Sequence, residues 1–374
     1  MDLFASESHL FKKKPALSAL LLTGSLLLTP LASAVGVITP MVPQKTALQS
    51  IEEADYYPLG LASVHLQKGE NAKALKYLVE TVERNPVHIL GLFHLGCAYL
   101  ELAKDSDLPE QQAVYLDQAQ QALERVVDFN DVLTLVYFKL GKVALMKNDI
   151  EAAKRFYAAG LRTDPSNAAL IFNLARVYDQ NNEKAEAIRY YQKTIETDPG
   201  FTYAYNNLAL LYEESKDYTN AEKAYRQALK RNGRYNLARL NLGNMLAAKG
   251  DYKTAKKLFD EALAQEPQNE WAHYYQGNLF LRMNAYDQAV SSYNEALALN
   301  ANHATTYYLL AIALTKLNRM DEAMQASLHY MQLAPDGEYA KEMKTLIMTV
   351  KLSQSNGLYF TPTPASAIPA SHNK

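Results

Sequence analysis

Residues 134–167 read TLVYFKLGKVALMKNDIEAAKRFYAAGLRTDPSN, and the next 34, residues 168–201, read AALIFNLARVYDQNNEKAEAIRYYQKTIETDPGF. Set one above the other, Leu140-Gly141, Ala153, Tyr157, Gly160 and Pro165 fall over Leu174-Ala175, Ala187, Tyr191, Thr194 and Pro199. The register continues through Leu208-Ala209, Ala221, Tyr225, Ala228 and Gly233. It continues again through Leu242-Gly243, Ala255, Phe259, Ala262 and Pro267. A period of this length signals a pair of helices with two turns, a unit that cannot bury its apolar face without neighbours. Chains of this kind serve as binding surfaces and rarely do chemistry.

Working outward from the central copies places repeat starts at Asp55, Ile89, Thr134, Ala168, Thr202, Asn236, Glu270 and Ala304. The second copy opens with Leu95-Gly96 and Tyr99, but its next small residue is Ala119. An insertion of 11 residues restores the register at Thr134, and eight copies with this insertion account for residues 55–337. Within a copy, positions 4, 7, 8 and 11 recur at helical spacing and form one face of a first helix; positions 20, 24 and 27 form a face of a second. In the copy opening at Asn236 these are Arg239, Leu242, Gly243 and Leu246, then Ala255, Phe259 and Ala262. Gly or Ala at positions 8 and 20 lets two antiparallel helices approach closely, and the aromatic at 24 fills the gap beside them. Proline at position 32 (Pro86, Pro165, Pro199, Pro267, Pro335) disfavours helix in the residue before it and ends the second helix. Turn signals such as Lys249-Gly250-Asp251 separate the two helices.

This pattern resembles the tetratricopeptide repeat family over about three quarters of the chain. The resemblance implies an all-α, right-handed α-solenoid of about eight helix-turn-helix units. Departures are local: Gly233 and Ala301 replace the proline, Gln276 the leucine and Ser327 the aromatic, so the last copies should be less regular. Pro58 predicts a late start for the first helix of copy 1. A stack needs its open ends covered, and Tyr339, Met343, Leu346, Ile347 and Val350 predict an amphipathic capping helix over 338–354. The inserted residues of copy 2 lengthen its helices, with a helix start at Ser106 or Asp107 ahead of Pro109 and Glu110; this is either a surface extension or a knob for a partner.

Both ends of the sequence differ in character from the repeats. Lys12, Lys13 and Lys14 precede an apolar run from Ala16 to Leu28, followed by Pro30 and by Ala32-Ser33-Ala34. This predicts a signal peptide over 1–34, cleaved near Ala34, and hence a periplasmic or secreted protein. The alternative is an uncleaved membrane anchor, which Pro30, Ser33, Gly36 and Pro40 weaken as a span. Residues 35–54 form a linker, with Leu48 and Ile51 hinting at a short helical lead-in. Residues 355–374, with Pro362, Pro364 and Pro369 among Ser, Thr and Ala, carry too little apolar material to pack and are expected to be disordered.

A formal charge of -2 argues against nucleic acid as a partner. The lone Cys97 can form no internal disulfide. No phosphate loop, His-Glu-x-x-His helix or nucleophile elbow is present, and His94 and His273 sit at different positions of distant copies. The sequence therefore predicts no catalytic residues, no metal and no cofactor.

If positions 4, 7, 8 and 11 pack inward, positions 2, 5, 6, 9, 12 and 13 of the first helices face the concave surface, where the resemblance implies binding of peptide segments of partner proteins. Position 6 is asparagine in three successive copies, Asn173, Asn207 and Asn241. A side-chain amide pairs with a peptide backbone whatever the peptide's sequence, and the arrangement is similar to the asparagine ladder of the O-GlcNAc transferase superhelix. The same asparagines would also serve as solvated residues of an exposed face. Aromatics crowd the surface: Phe138 and Phe172 at position 5, which either line the groove or pack against the next copy, and Trp271, Tyr274 and Tyr275 clustered on one turn. Lys139, Lys142 and Arg176 gather in copies 3 and 4, whereas Asp179, Glu213 and Glu214 line a later edge. A ligand with an acidic group toward copy 3 and an aromatic-binding stretch toward copy 7 suits this arrangement. The carboxylate clamp of chaperone-tail-binding relatives is not matched by any three successive copies.

The expectation is thus an exported scaffold that binds extended segments of partner proteins, in cell-envelope assembly, secretion or pilus biogenesis, within a complex that is membrane-associated or soluble. The alternatives are a recruiting or repeat subunit associated with a glycosyltransferase similar to O-GlcNAc transferase, and a self-assembling structural solenoid.

Overall fold

The computed structural model describes residues 58–129 and 134–355. The expected targeting segment, the lead-in, the Asp55 start and the proline-rich tail beyond Ser355 lie outside them. The described residues form seventeen helices and no strand. They are α1 (58–67), α2 (Asn71–Arg84), α3 (Ile89–Asp105), α4 (Pro109–Phe129), α5 (Thr134–Met146), α6 (Ile150–Thr163), α7 (Ala168–Gln180), α8 (Lys184–Thr197) and α9 (Thr202–Glu214). They continue as α10 (Tyr218–Arg231), α11 (Asn236–Ala248), α12 (Tyr252–Gln265), α13 (Glu270–Arg282), α14 (Tyr286–Leu299), α15 (Ala304–Lys316), α16 (Met320–Leu333) and α17 (Ala340–Ser355). The fold is an all-α solenoid of tetratricopeptide type.

The regularity has a local cause at each turn. The residue at position 15 of every described copy except the second sits in the left-handed region: Gly69, Asn148, Asn182, Lys216, Gly250, Asn284 and Asn318. Each closes its first helix with the paired bonds of a Schellman motif. In copy 3, Asn148 N–H donates to Leu145 O at 3.0 Å and Asp149 N–H to Ala144 O at 2.8 Å. The next residue then starts the second helix, and where it is aspartate it caps it. Asp149 accepts from Ala152 N–H, Asp217 from Asn220 N–H and Asp251 from Thr254 N–H. At the other turn Asn167 and Asn269 cap the next first helix.

Within a pair, the ring at position 24 occupies the space a side chain at position 8 would need. A Cβ placed on Gly243 would lie 2.5 Å from Phe259 Cε1, and one on Gly277 would lie 2.6 Å from Tyr293 Cδ1. Contacts divide the described residues into two compact units, 58–208 and 209–355, each described by itself. In the first, successive helices from α2 to α8 pack in order around Leu78, Leu92, Leu100, Leu123, Leu140, Tyr157 and Tyr191, all fully buried. The 11 residues added to copy 2 are all helix: α3 has 17 residues and α4 has 21, against 13 and 14 in copy 3.

In the second unit, α10 to α17 pack in order around Tyr225, Phe259, Tyr275 and Tyr293. The last copy departs from the rule and the structure gives the reason. Ser327 at position 24 turns its hydroxyl back onto Ala323 O, 2.8 Å away, and the ring moves to Tyr330 at position 27. Tyr330 Oη accepts from Tyr339 N–H at 3.0 Å, while Tyr308 stacks on Tyr339 with centroids 3.8 Å apart. Helix α17 then lays Met343, Ile347 and Val350 against the stack and covers it.

Candidate functional site

In the first unit the first-helix face carries a concentration of positive charge. Phe138, Lys139, Lys142 and Arg176 are all half-buried. Lys142 Nζ lies 4.9 Å from the centroid of the Phe138 ring, a cation–π contact. Burial, joined by the charges of Lys139 and Lys104, pulls the Lys142 ammonium down to about 8. Arg176 adds to the same repulsion, and Glu101, the nearby carboxylate, is held by Lys104 at 2.6 Å. His94 is pushed down by burial and by Lys139. Burial raises the Cys97 thiol, which keeps it from being a ready nucleophile.

At position 24, several tyrosine hydroxyls bond to first-helix side chains. Tyr191 Oη accepts from Asn207 Nδ2 at 3.1 Å and lies within hydrogen-bonding reach of the Asp179 carboxylate. In the second unit Tyr225 Oη donates to Glu213 Oε2 at 3.0 Å, and Tyr293 Oη donates to Asn278 Oδ1 at 2.7 Å. Asp179 and Glu213 both stand at position 12. Burial lifts the Glu213 carboxyl to about 7 despite the Tyr225 bond, with Glu214 adding to the rise. Tyr157 differs: its hydroxyl is fully buried and has no hydrogen-bond partner among the described residues. Position 12 of its copy is Leu145.

Several residues expected on an open face are covered. Asn173 and Asn241 are 3% and 5% exposed, so of the three ladder positions only Asn207 keeps a half-buried amide. Asn173 Nδ2 donates to Ala169 O of its own helix at 2.7 Å, and its Oδ1 accepts from Arg176 Nη1 at 3.4 Å. Phe172 is buried because Phe201, at position 34 of the same copy, folds over it with centroids 4.8 Å apart. Tyr274 and Tyr275 are 1% and 2% exposed, and His303, again at position 34, covers Tyr274 with centroids 5.0 Å apart. Trp271 stays half-buried above them, 5.7 Å from Tyr274 and 4.9 Å from His303. The residue just ahead of the next copy was the missed signal: an aromatic or His at position 34 shields position 5.

No group of three or more His, Cys, Asp or Glu suited to a metal occurs among the described residues. The first-helix face of copies 3 and 4 carries half-buried cations beside a partly open aromatic ring.

Comparisons with known proteins agree with this architecture. A model described as anaphase-promoting complex, cyclosome, subunit 3 matches residues 248–329, and two tetratricopeptide repeat models match 206–270 and 144–211. No curated protein matches the sequence. Among solved structures, a tetratricopeptide repeat protein from Parabacteroides merdae is similar at TM-score 0.51 and 19% identity, covering 68% of this chain and 98% of that one. The Cut9–Hcn1 hetero-tetramer of the APC/C is similar at TM-score 0.52 and 16% identity, covering 76% of this chain and 54% of that one. At these identities the likeness is one of fold. Repeat-family models falling on the helix pairs of both units make this chain a tetratricopeptide-repeat protein.

Proposed function

We propose that the chain is an exported scaffold, not an enzyme, that holds extended segments of partner proteins against the concave face of its first helices. The observation that carries this reading is the first-helix face of copies 3 and 4. There, half-buried Lys139, Lys142 and Arg176 form no ion pair with any described residue, and half-buried Phe138 lies under the Lys142 ammonium. A stack that needed these side chains only for packing would not hold like charges together at a desolvation cost. Asn207 in the first unit and Trp271 in the second are half-buried first-helix residues as well. Export is supported by the basic and apolar residues ahead of Ala32-Ser33-Ala34. Work in cell-envelope assembly, secretion or pilus biogenesis fits an exported adaptor.

The test is in-cell crosslinking from a photoreactive residue placed at Lys139 or at Trp271, followed by identification of the captured chain. The reading expects one recurrent partner, joined through a short segment, and reduced capture in Trp271→Ala and Asn207→Ala. Crosslinks scattered over the molecule with no recurrent partner, unchanged by those variants, overturn it.

A further inference from the structure

In the second unit, α14, α15 and α16 border a groove of about 220 Å³. Its floor is apolar and buried, made of Val290 from α14, Leu314 from α15 and Ala326 from α16. Tyr307 and His329 stack along one wall with centroids 5.1 Å apart, and Glu322 stands at the end nearest the start of α16. The floor residues occupy positions 21, 11 and 23 of the repeat. In copies 3 and 4 the same positions hold Lys154, Tyr178 and Tyr190. There the two rings stack 5.2 Å apart, and the Lys154 ammonium lies 5.2 Å from the Tyr178 centroid. Copies 3 and 4 thus fill with their own rings a place that copies 7 and 8 leave open.

A segment able to supply the missing ring begins close by. Gln354, in the last turn of α17, donates from Nε2 to Asp321 Oδ1 at 2.6 Å, which sets the end of α17 beside the residue that precedes Glu322. Residues 356–374, outside the described residues, follow directly. Asn356-Gly357 is a sequence signal for a turn, and Leu358-Tyr359-Phe360 is the longest apolar run of that segment. A helix is about 10 Å across and three extended residues span about 10 Å, so the run is long enough to cross α16 and arrive at the groove. We propose that Leu358-Tyr359-Phe360 docks in this groove of its own chain and seats the Phe360 ring over Val290, Leu314 and Ala326. Three apolar residues are too few to build a core, but they suffice to cover apolar surface that is already built. Pro362 and Pro364 restrict the chain that follows and lower the entropy lost on docking. The segment would strap α17 to the helix pair before it. This contact is independent of the partner-binding reading.

The experiment places a photoreactive phenylalanine analogue at Phe360 of the full chain and locates the crosslinks by mass spectrometry. They are expected within one chain, on the residues of α14 and α16 around the groove. Ala326→Tyr, which gives copy 8 the ring that copy 4 carries as Tyr190, should reduce their yield about tenfold with the helical circular dichroism unchanged. A second arm does not depend on the folding of that variant. A labelled peptide of residues 356–364 is titrated into the unaltered chain and into Phe360→Ser. A short tether gives the chain's own segment an effective concentration of about millimolar. The peptide is therefore expected to bind Phe360→Ser about tenfold more tightly than the unaltered chain, whose groove is already filled.

Crosslinks confined to the outer face of α17, where Met348 and Leu352 are exposed, would overturn the groove in favour of the helix the segment has just left. Crosslinks between chains, with a dimer seen by light scattering, would overturn the intrachain contact in favour of exchange between two copies. A yield no higher than that from the same analogue at Ser371 would leave the groove without this occupant. So would a peptide that binds both chains equally, or neither. Each of these results removes the strap and leaves the capture of a partner at Lys139 or Trp271 to be judged by its own crosslinks.

Discussion

At the scale of single residues, Lys216 is the least comfortable position in the backbone. Its φ is +62°, where the other copies place Gly or Asn. A side chain with a Cβ in the left-handed region costs roughly 1 kcal/mol, and Asn lowers that cost by local hydrogen bonding in a way Lys cannot. Lys216→Gly is expected to raise stability by about 0.5–1 kcal/mol, read as an upward shift of the thermal midpoint. A lower midpoint would mean that the aliphatic stem of Lys216 matters more than its backbone. Glu213 is a second such residue. Its folded-state carboxyl titrates near 7, above the unfolded value of 4.5, so below pH 4.5 it is protonated in both states and costs nothing. Between those values the unfolded chain releases the proton first and stability falls as pH rises; above about 7 the cost is complete. Glu213→Gln keeps an acceptor for Tyr225 and should stabilise the protein at pH 8 by roughly 1–2 kcal/mol, discounted for the solvent the carboxylate retains. The gain should vanish near pH 4. Denaturant titrations at the two pH values decide it.

At the scale of elements, each helix pair depends on a small residue opposite an aromatic, and each turn on a residue that tolerates positive φ. Those two requirements were legible, because Gly243 against Phe259 and Gly250 in its turn are conspicuous residue types at fixed spacing. The capping helix was legible in the same way, from Met343, Ile347 and Val350 at helical intervals. Its anchorage was not: the shift of the ring from position 24 to Tyr330, and the stacking of Tyr339 on Tyr308, depend on how α17 packs against the last helix pair. Met343 is 3% exposed, so Met343→Ala should cost about 2–4 kcal/mol locally. Hydrogen exchange checks this: amides of α17 should lose protection while those of α3 to α6 keep theirs, as expected of a stack coupled only to neighbours. Uniform loss of protection would show that the unit unfolds as one body.

At the scale of the whole molecule, the sequence by itself determined the helix pairs, their order and the lengthening of copy 2. Helical period, Gly and Asn at turns and Pro at helix ends are all local signals that a repeated unit states several times over. It also placed Phe138, Lys139, Lys142 and Arg176 together on the first helices of copies 3 and 4. Tertiary structure alone decided how open that face is. Position 5 lies on the predicted face, yet Phe201 and His303 fold over Phe172 and Tyr274 from the end of the same copy, and Asn173 spends its amide on its own helix. Whether a side chain on a helix meets solvent depends on what the neighbouring segment lays across it, and a periodic pattern does not encode that distance. The same holds for Tyr157. Its identity marked it as core, and only the geometry showed a hydroxyl left without the carboxylate that its counterparts in the next two copies possess.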